Sequence, residues 1–229
     1  MTTGRTGERP GAGWWVPEGR EPHQLRPALE GCRGCELHLD AEHGVLGEGP
    51  TDASLVLVGE QPGDQEDRAG RPFVGPAGAL LRRALEQAGL DEDEVYLTNA
   101  VKHFRWRGTR HGKRIHQGPS RTHVTACGPW LVAELEMVRP TGVVLLGATA
   151  GQAVYGPDFR VGASRGQRLD WPGTPTLAGP APAWAVATAH PSAVLRSRTR
   201  REDEAGLVAD LRYAAAQLPQ DGAGPAAEE

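Results

Sequence analysis

Four short apolar runs, each bounded by turn formers, punctuate the chain at residues 54–58, 95–98, 143–146 and 184–188. They are rich in branched residues and do not alternate with polar ones, which predicts strands buried on both faces. Between them the apolar positions follow helical spacing. Helices are predicted over residues 22–30, 79–88, 121–138, 148–154 and 202–218, with Gly89 stopping the second and Pro140 lying just past the third. Residues 157–183 hold many Gly and Pro and predict a loop or hairpin. Strands alternating with helices indicate an α/β fold: a three-layer α/β/α sandwich around a central, four-stranded, mainly parallel sheet. A chain of 229 residues suits one domain with tails. The expected division is a loose N-terminal segment over 1–22, a single domain over 23–218 and a disordered tail over 219–229. Trp14 and Trp15 are the exception in the first segment and could pin it to the surface.

In a sheet of this kind, ligands bind beyond the carboxyl ends of the strands. Glu60, Asn99, Gly147 and His190 follow the four predicted strands in order. Four loops therefore converge on one cleft. Residues 99–127 form the richest segment: an Asn at a strand end, then a loop dense in Arg, Gly and His, then the start of a helix carrying Cys127.

The formal net charge of −4 argues against a generally basic surface. The cations are nevertheless concentrated, with Arg105, Arg107, Arg110, Lys113, Arg114 and Arg121 in one segment and Arg196, Arg198, Arg200 and Arg201 in another. That asymmetry fits a local phosphate footprint on an otherwise acidic protein. Two solvated arginine-rich loops are the plainer explanation of the same charges. Three cysteines, an odd number, with no secretory signal, argue against a disulfide framework and for a reducing cytoplasm. No apolar run approaches a membrane span.

Cys32 and Cys35 stand in a C-x-x-C pair flanked by Gly and Arg, which is no apolar core position. The pair alone is open between zinc, iron–sulfur and redox use; with Cys127 it makes a candidate ligand set, against the alternative of inert buried thiols. A fourth ligand must come from the eight histidines; His103, four residues after Asn99, is one candidate. His116 ends a Lys-Arg-Ile-His run: either a solvated loop residue or phosphate contact, or a nucleophile, since imidazole forms covalent adducts. His190 is a candidate electrophile or acid, or a histidine satisfying local backbone. Asn99 can present donor and acceptor to a base edge, or be a turn residue. Phe73 can stack on a flat ring, or be core. Glu60 and Asp64 can stabilise a developing cation, or cap a helix. Neither a P-loop nor an H-E-x-x-H motif is present.

Taken in order, Cys32-x-x-Cys35, the run 59–64, the run 72–78, the run 98–103, Lys113 to His116, Cys127 and His190-Pro-Ser192 resemble the uracil-DNA glycosylase superfamily. Within it they are similar to the iron–sulfur family-4 enzymes and their UdgX branch. Ordinary family-4 enzymes look like Asn-x-Val-Lys-Cys. Here that last position is His103, as in the branch. The branch also carries a Lys-Arg-Arg-Ile-His loop; this chain reads Gly112, Lys113, Arg114, Ile115, His116, in a loop about one residue shorter. The resemblance implies a [4Fe-4S] cluster on Cys32, Cys35, His103 and Cys127, structural in role. It implies excision of uracil from DNA, preferably single-stranded because extruding a base is cheapest there. Phe73 would stack on uracil, Asn99 would read its edge, and His190 would stabilise the leaving oxygen, while Gln61, Gly63, Lys113, Arg114 and Ser192 would complete the substrate site. His116 would attack the anomeric carbon, with Glu60 or Asp64 orienting it, leaving a protein–DNA crosslink and free uracil from a monomeric, single-turnover enzyme. An ordinary turnover glycosylase, and a non-enzymatic module that binds single-stranded nucleic acid, are the alternatives.

Overall fold

A computed structural model describes residues 10–173 and 175–219. The expected looseness of residues 1–9 and the expected tail at 220–229 lie outside the described residues. The helices are α1 (Pro22–Glu30), α2 (Asp64–Ala69), α3 (Pro76–Ala88), α4 (Arg121–Val138), α5 (Ala148–Tyr155), α6 (Val161–Ser164), α7 (Pro191–Arg196) and α8 (Arg200–Ala215). The strands are β1 (Leu55–Gly59), β2 (Val95–Asn99), β3 (Trp106–Arg110), β4 (Lys113–His116), β5 (Gly142–Leu146), β6 (Arg168–Asp170) and β7 (Trp184–Thr188).

The main sheet runs β2-β1-β5-β7-β6. Its first four strands are the four expected from the apolar runs, and they pair in parallel. The sheet has a fifth strand: β6 joins β7 antiparallel, from within the segment expected to be loop or hairpin. A three-residue strand with exposed ends carries too little apolar pattern to announce itself.

Alternation along each strand sends side chains to two cores. Leu55, Leu57, Val144, Leu146, Trp184 and Val186 face α3, α7 and α8. Val56, Val58, Val143, Leu145, Ala185 and Ala187 face α4 and α5. That is the three-layer sandwich, and it explains why the strands read as unbroken apolar runs.

Several elements differ from the sequence expectation, among them α8, which runs 200–215 where 202–218 was expected, and the short helices α6 and α7. Helix α3 begins three residues early because Pro76 takes the first helical position, where its missing N–H costs nothing. Helix α2 was not expected; five polar residues and one alanine hide it, yet Glu66 reaches back to the Gly63 N–H at 3.1 Å and Gly70 ends it at φ +64°. The cationic loop after β2 is a β-hairpin of β3 and β4. Residues 10–16 are not loose either: the Gly11 N–H donates to the Gly34 carbonyl at 3.1 Å, and Ala12 is buried beside the cysteines. Trp14 is 88% exposed, so Ala12 and the half-buried Trp15 do the pinning.

Candidate active site

The carboxyl ends of β1, β2, β5 and β7 open on one side of the sheet. There a cavity of about 390 Å³ is lined by Glu60, Gln61, Gly63, Asp64, Phe73, Asn99, Lys113, Arg114, His116, His190 and Ser192. Every catalytic and substrate residue expected from the sequence lines it.

Gly59 ends β1. A Cβ there would stand 2.4 Å from Asn99 Oδ1 and 2.7 Å from Phe73 Cζ, so only glycine lets the amide and the ring meet. Phe73 is held at φ +54°, a conformation costly for a bulky residue. The Arg82 guanidinium donates to its carbonyl at 2.9 Å, and Gly78 leaves room for that carbonyl. A flat ring is thereby fixed beside an amide with both a donor and an acceptor. Lys102 Nζ donates to the Asn99 backbone carbonyl at 2.7 Å and to Thr98 Oγ1 at 2.7 Å, and pairs with Glu134. Lys102 and Glu134 are almost fully buried.

His190 Nδ1 accepts the Ser192 backbone N–H at 3.1 Å and lies 2.8 Å from Ser192 Oγ. Burial pushes its pKa down to about 4, with His116 and Arg196 adding to the fall and Glu60 opposing it. The neutral ring, accepting at Nδ1, carries its hydrogen on Nε2 as a donor. Gly147, at φ +90°, makes room for it: a Cβ there would sit 2.9 Å from the His190 Cβ.

His116 ends β4 half exposed. Its Nε2 is 3.3 Å from Glu60 Oε1 and 3.0 Å from Gln61 Nε2. The Gln61 amide also donates to the carbonyls of Arg105 and Gln117, both at 3.1 Å, and its oxygen accepts the Arg105 N–H at 3.2 Å. Gln61 therefore clasps both ends of the hairpin. Burial pushes the Glu60 carboxyl up, but hydrogen bonds from His116 and Thr149 and the charges of His116 and His190 outweigh it, leaving the group below the ordinary glutamate value.

Two expected site residues have partners within the protein. Arg114 was expected on substrate and Asp64 beside His116. Arg114 pairs with Asp64, with the fully buried Asp67 and with Glu42, under the rings of Phe104 and Trp106. Asp64 is also engaged by Arg68. Their opposite charges lie at the seam between α2 and β4, so they satisfy each other and bolt the hairpin down. Glu60 Oε1 is the carboxylate oxygen that stands against His116 Nε2, at 3.3 Å.

Cys32, Cys35 and Cys127 share one buried cluster beneath residues 12–16. N–H groups aim at two of the sulfurs: Gly34 N–H and Trp130 Nε1–H at Cys32, 3.5 and 3.3 Å away, and the Lys102 N–H at Cys127, 3.2 Å away. Such donors suit thiolates. Burial pushes the Cys127 thiol up to about 12, Lys102 pulling the other way, so a thiolate there calls for a positive centre. Burial, then His38 and Arg33, push His103 down to about 4, leaving its ring neutral and able to ligate. Among the described residues no three or more His, Cys, Asp or Glu side chains stand as a site for a metal ion. The donors aimed at Cys32 and Cys127 and the neutral ring of His103 are the grounds on which these side chains suit a cluster.

Sequence reasoning missed Lys102, Glu134, Asp67 and Thr149. A lysine closing an apolar stretch and a glutamate inside an apolar helix were signals for the first two; nothing marked the others.

A family model for the Uracil DNA glycosylase superfamily matches residues 46–212. A type-4 uracil-DNA glycosylase of Thermotoga maritima is 38% identical over 169 residues, covering 73% of this chain and 80% of that protein. Type-4 uracil-DNA glycosylases of Archaeoglobus fulgidus and Pyrobaculum aerophilum are 41% and 37% identical, over 54% and 57% of this chain and 58% and 63% of theirs. The matched span runs from just before β1 into α8 and carries the whole cavity, and on that footing the chain belongs to the uracil DNA glycosylase superfamily.

Proposed function

We propose that the protein excises uracil from DNA and that His116 then captures the sugar, as in the UdgX branch. The observation that carries the second half is the contact of His116 Nε2 with Glu60 Oε1 at 3.3 Å on the rim of the cavity. Uracil swings out of the strand, most cheaply from single-stranded DNA, onto the Phe73 ring. Asn99 pairs with its polar edge. The bond from the anomeric carbon to the base breaks, and the electron pair leaves with uracil. The His190 Nε2–H donates to the oxygen where that charge gathers. The sugar is left as a cation, and the ring nitrogen of His116 that holds a lone pair bonds to it. The Glu60 carboxylate compensates the positive charge the imidazole then carries. The adduct is covalent, so each monomer acts once and releases one free uracil. Cys32, Cys35, His103 and Cys127 would hold a [4Fe-4S] cluster, which would tie residues 10–35 to the loop after β2. Among the described residues no helix is long and apolar enough to cross a membrane, and the three free thiols suit a reducing cytoplasm.

The test mixes stoichiometric protein with single-stranded DNA holding one uracil and runs a denaturing gel. A protein–DNA band that survives heat and detergent and vanishes with His116→Ala is expected. Free abasic DNA from both proteins would sink the crosslinking half and leave a turnover glycosylase. Untouched uracil in both would sink the whole reading.

A further inference from the structure

Glu60 has two oxygens, and one of them faces away from His116. Oε2 accepts the Thr149 hydroxyl at 2.8 Å. Thr149 comes from α5, across the sheet mouth from the hairpin. The α5 N-cap, Gly147, has no side chain to cap with, and the Thr149 hydroxyl turns outward to the end of β1. The Glu60 backbone is fixed separately, its carbonyl accepting the Val101 N–H at 3.0 Å. The direction of its carboxylate is left to Thr149 on one oxygen and His116 on the other.

We infer that Thr149 is a positioning residue that aims the Glu60 carboxylate at His116 and keeps it ionised. The inference rests on the function proposed above and deepens it. A hydroxyl donates one hydrogen, and a carboxylate accepts it best when ionised. The groups facing Glu60 are His116 from the hairpin, His190 from the loop after β7 and Thr149 from α5. The other acids on the cavity wall are engaged elsewhere, Asp64 by Arg114 and Arg68 and Glu66 by the Gly63 and Gly75 N–H groups. Thr149 is thus the one hydroxyl that the structure gives Glu60 among the described residues.

Thr149→Val keeps the shape and removes the hydroxyl; Thr149→Ser keeps the hydroxyl. Losing a hydrogen bond to a charged group slows adduct formation about tenfold at neutral pH in the Val variant. The acid limb of its pH–rate profile moves to higher pH, because the carboxyl protonates more readily. Thr149→Ser restores both. Wild-type rate and limb in the Val variant would overturn the inference. So would an equal loss in Val and Ser, or a slower rate with the limb unmoved, since either marks mere packing. A carbon-13 titration of the Glu60 carboxyl, assigned with Glu60→Gln, runs beside the kinetics. If the wild type forms no adduct, the His116 reading fails by itself. The titration then decides for Thr149: a carboxyl pKa raised in the Val variant supports it and an unchanged one overturns it.

Discussion

Replacing Lys102 by Met removes the cation from a pair that is 0% and 1% exposed. Glu134 would keep three neutral donors: the Gly47 N–H at 2.6 Å, the Tyr96 hydroxyl at 3.2 Å and the Thr98 hydroxyl at 2.8 Å. These hydrogen-bond a carboxylate but do not neutralise it. Stranding one member of a buried pair costs about 3–5 kcal/mol. For a chain of this size that lowers Tm by roughly 6–20 °C. Glu134→Gln strands the ammonium instead and is expected to cost about as much. The double variant removes both charges, while the glutamine oxygen still accepts from Gly47 and Tyr96. It should lose well under the sum of the singles, with a coupling of at least about 2 kcal/mol. Urea unfolding at 25 °C, followed by tryptophan fluorescence, measures the three losses. Single-turnover uracil release adds a second readout: Lys102→Met also frees the Asn99 carbonyl, so the protein concentration that gives half the maximal rate rises. A double variant whose loss equals the sum of the singles to within about 0.5 kcal/mol would refute the idea that the charges exist for each other.

Other outcomes follow from the same geometry. The His190 pKa falls from 6.5 to about 4 on folding, so the unfolded chain binds more protons between those values and wild-type stability falls as pH drops through them. His190→Asn should flatten that fall in urea midpoints; an unchanged slope contradicts the assignment. Gly59→Ala drives a methyl against Asn99 and Phe73 and should weaken uracil-DNA binding at least about tenfold in a titration with His116→Ala as the background; wild-type affinity would refute the fit. Arg114→Ala should open the hairpin to limited proteolysis between residues 105 and 117, and Arg114→Lys should not rescue it, because a point charge cannot span Asp64 and Asp67. Cys35→Ala should lose iron and visible absorbance; full retention of both removes Cys35 from the proposed ligands.

The order of strands and helices was legible because each central strand is buried on both faces and each long helix is amphipathic. The cavity was legible because a parallel sheet gathers its loops at one end, so Glu60, Asn99 and His190 could be placed together from their positions after strands. Charge was the misleading signal. Arg114 sits in a run of cations, and sequence shows neither which of them points inward nor that Asp67, forty-seven residues away, waits for it. Thr149 escaped for a related reason: a threonine early in a helix has a local explanation, and only tertiary structure sends it to another strand's end. The sixth strand is short and polar, so its pairing comes from β7 and not from its own residues.

The hairpin register carries a last consequence. Trp106 lies opposite His116, and Thr109 and Arg110 lie opposite Arg114 and Lys113, so two residues of β3, Arg107 and Gly108, stand against one of β4, Ile115. Gly108, at φ +63°, takes up the surplus as a bulge. A strand pair without such slack would turn every side chain to its opposite face when one residue is gained or lost. Here the odd residue is discharged near the base, on the strand that carries no nucleophile. The tip pairing is thereby offset by one residue from the base pairing, and the slack lies wholly in β3, so Arg114 and His116, two residues apart on β4, keep to one face of an unbroken strand, like a seam left straight while the hem is gathered.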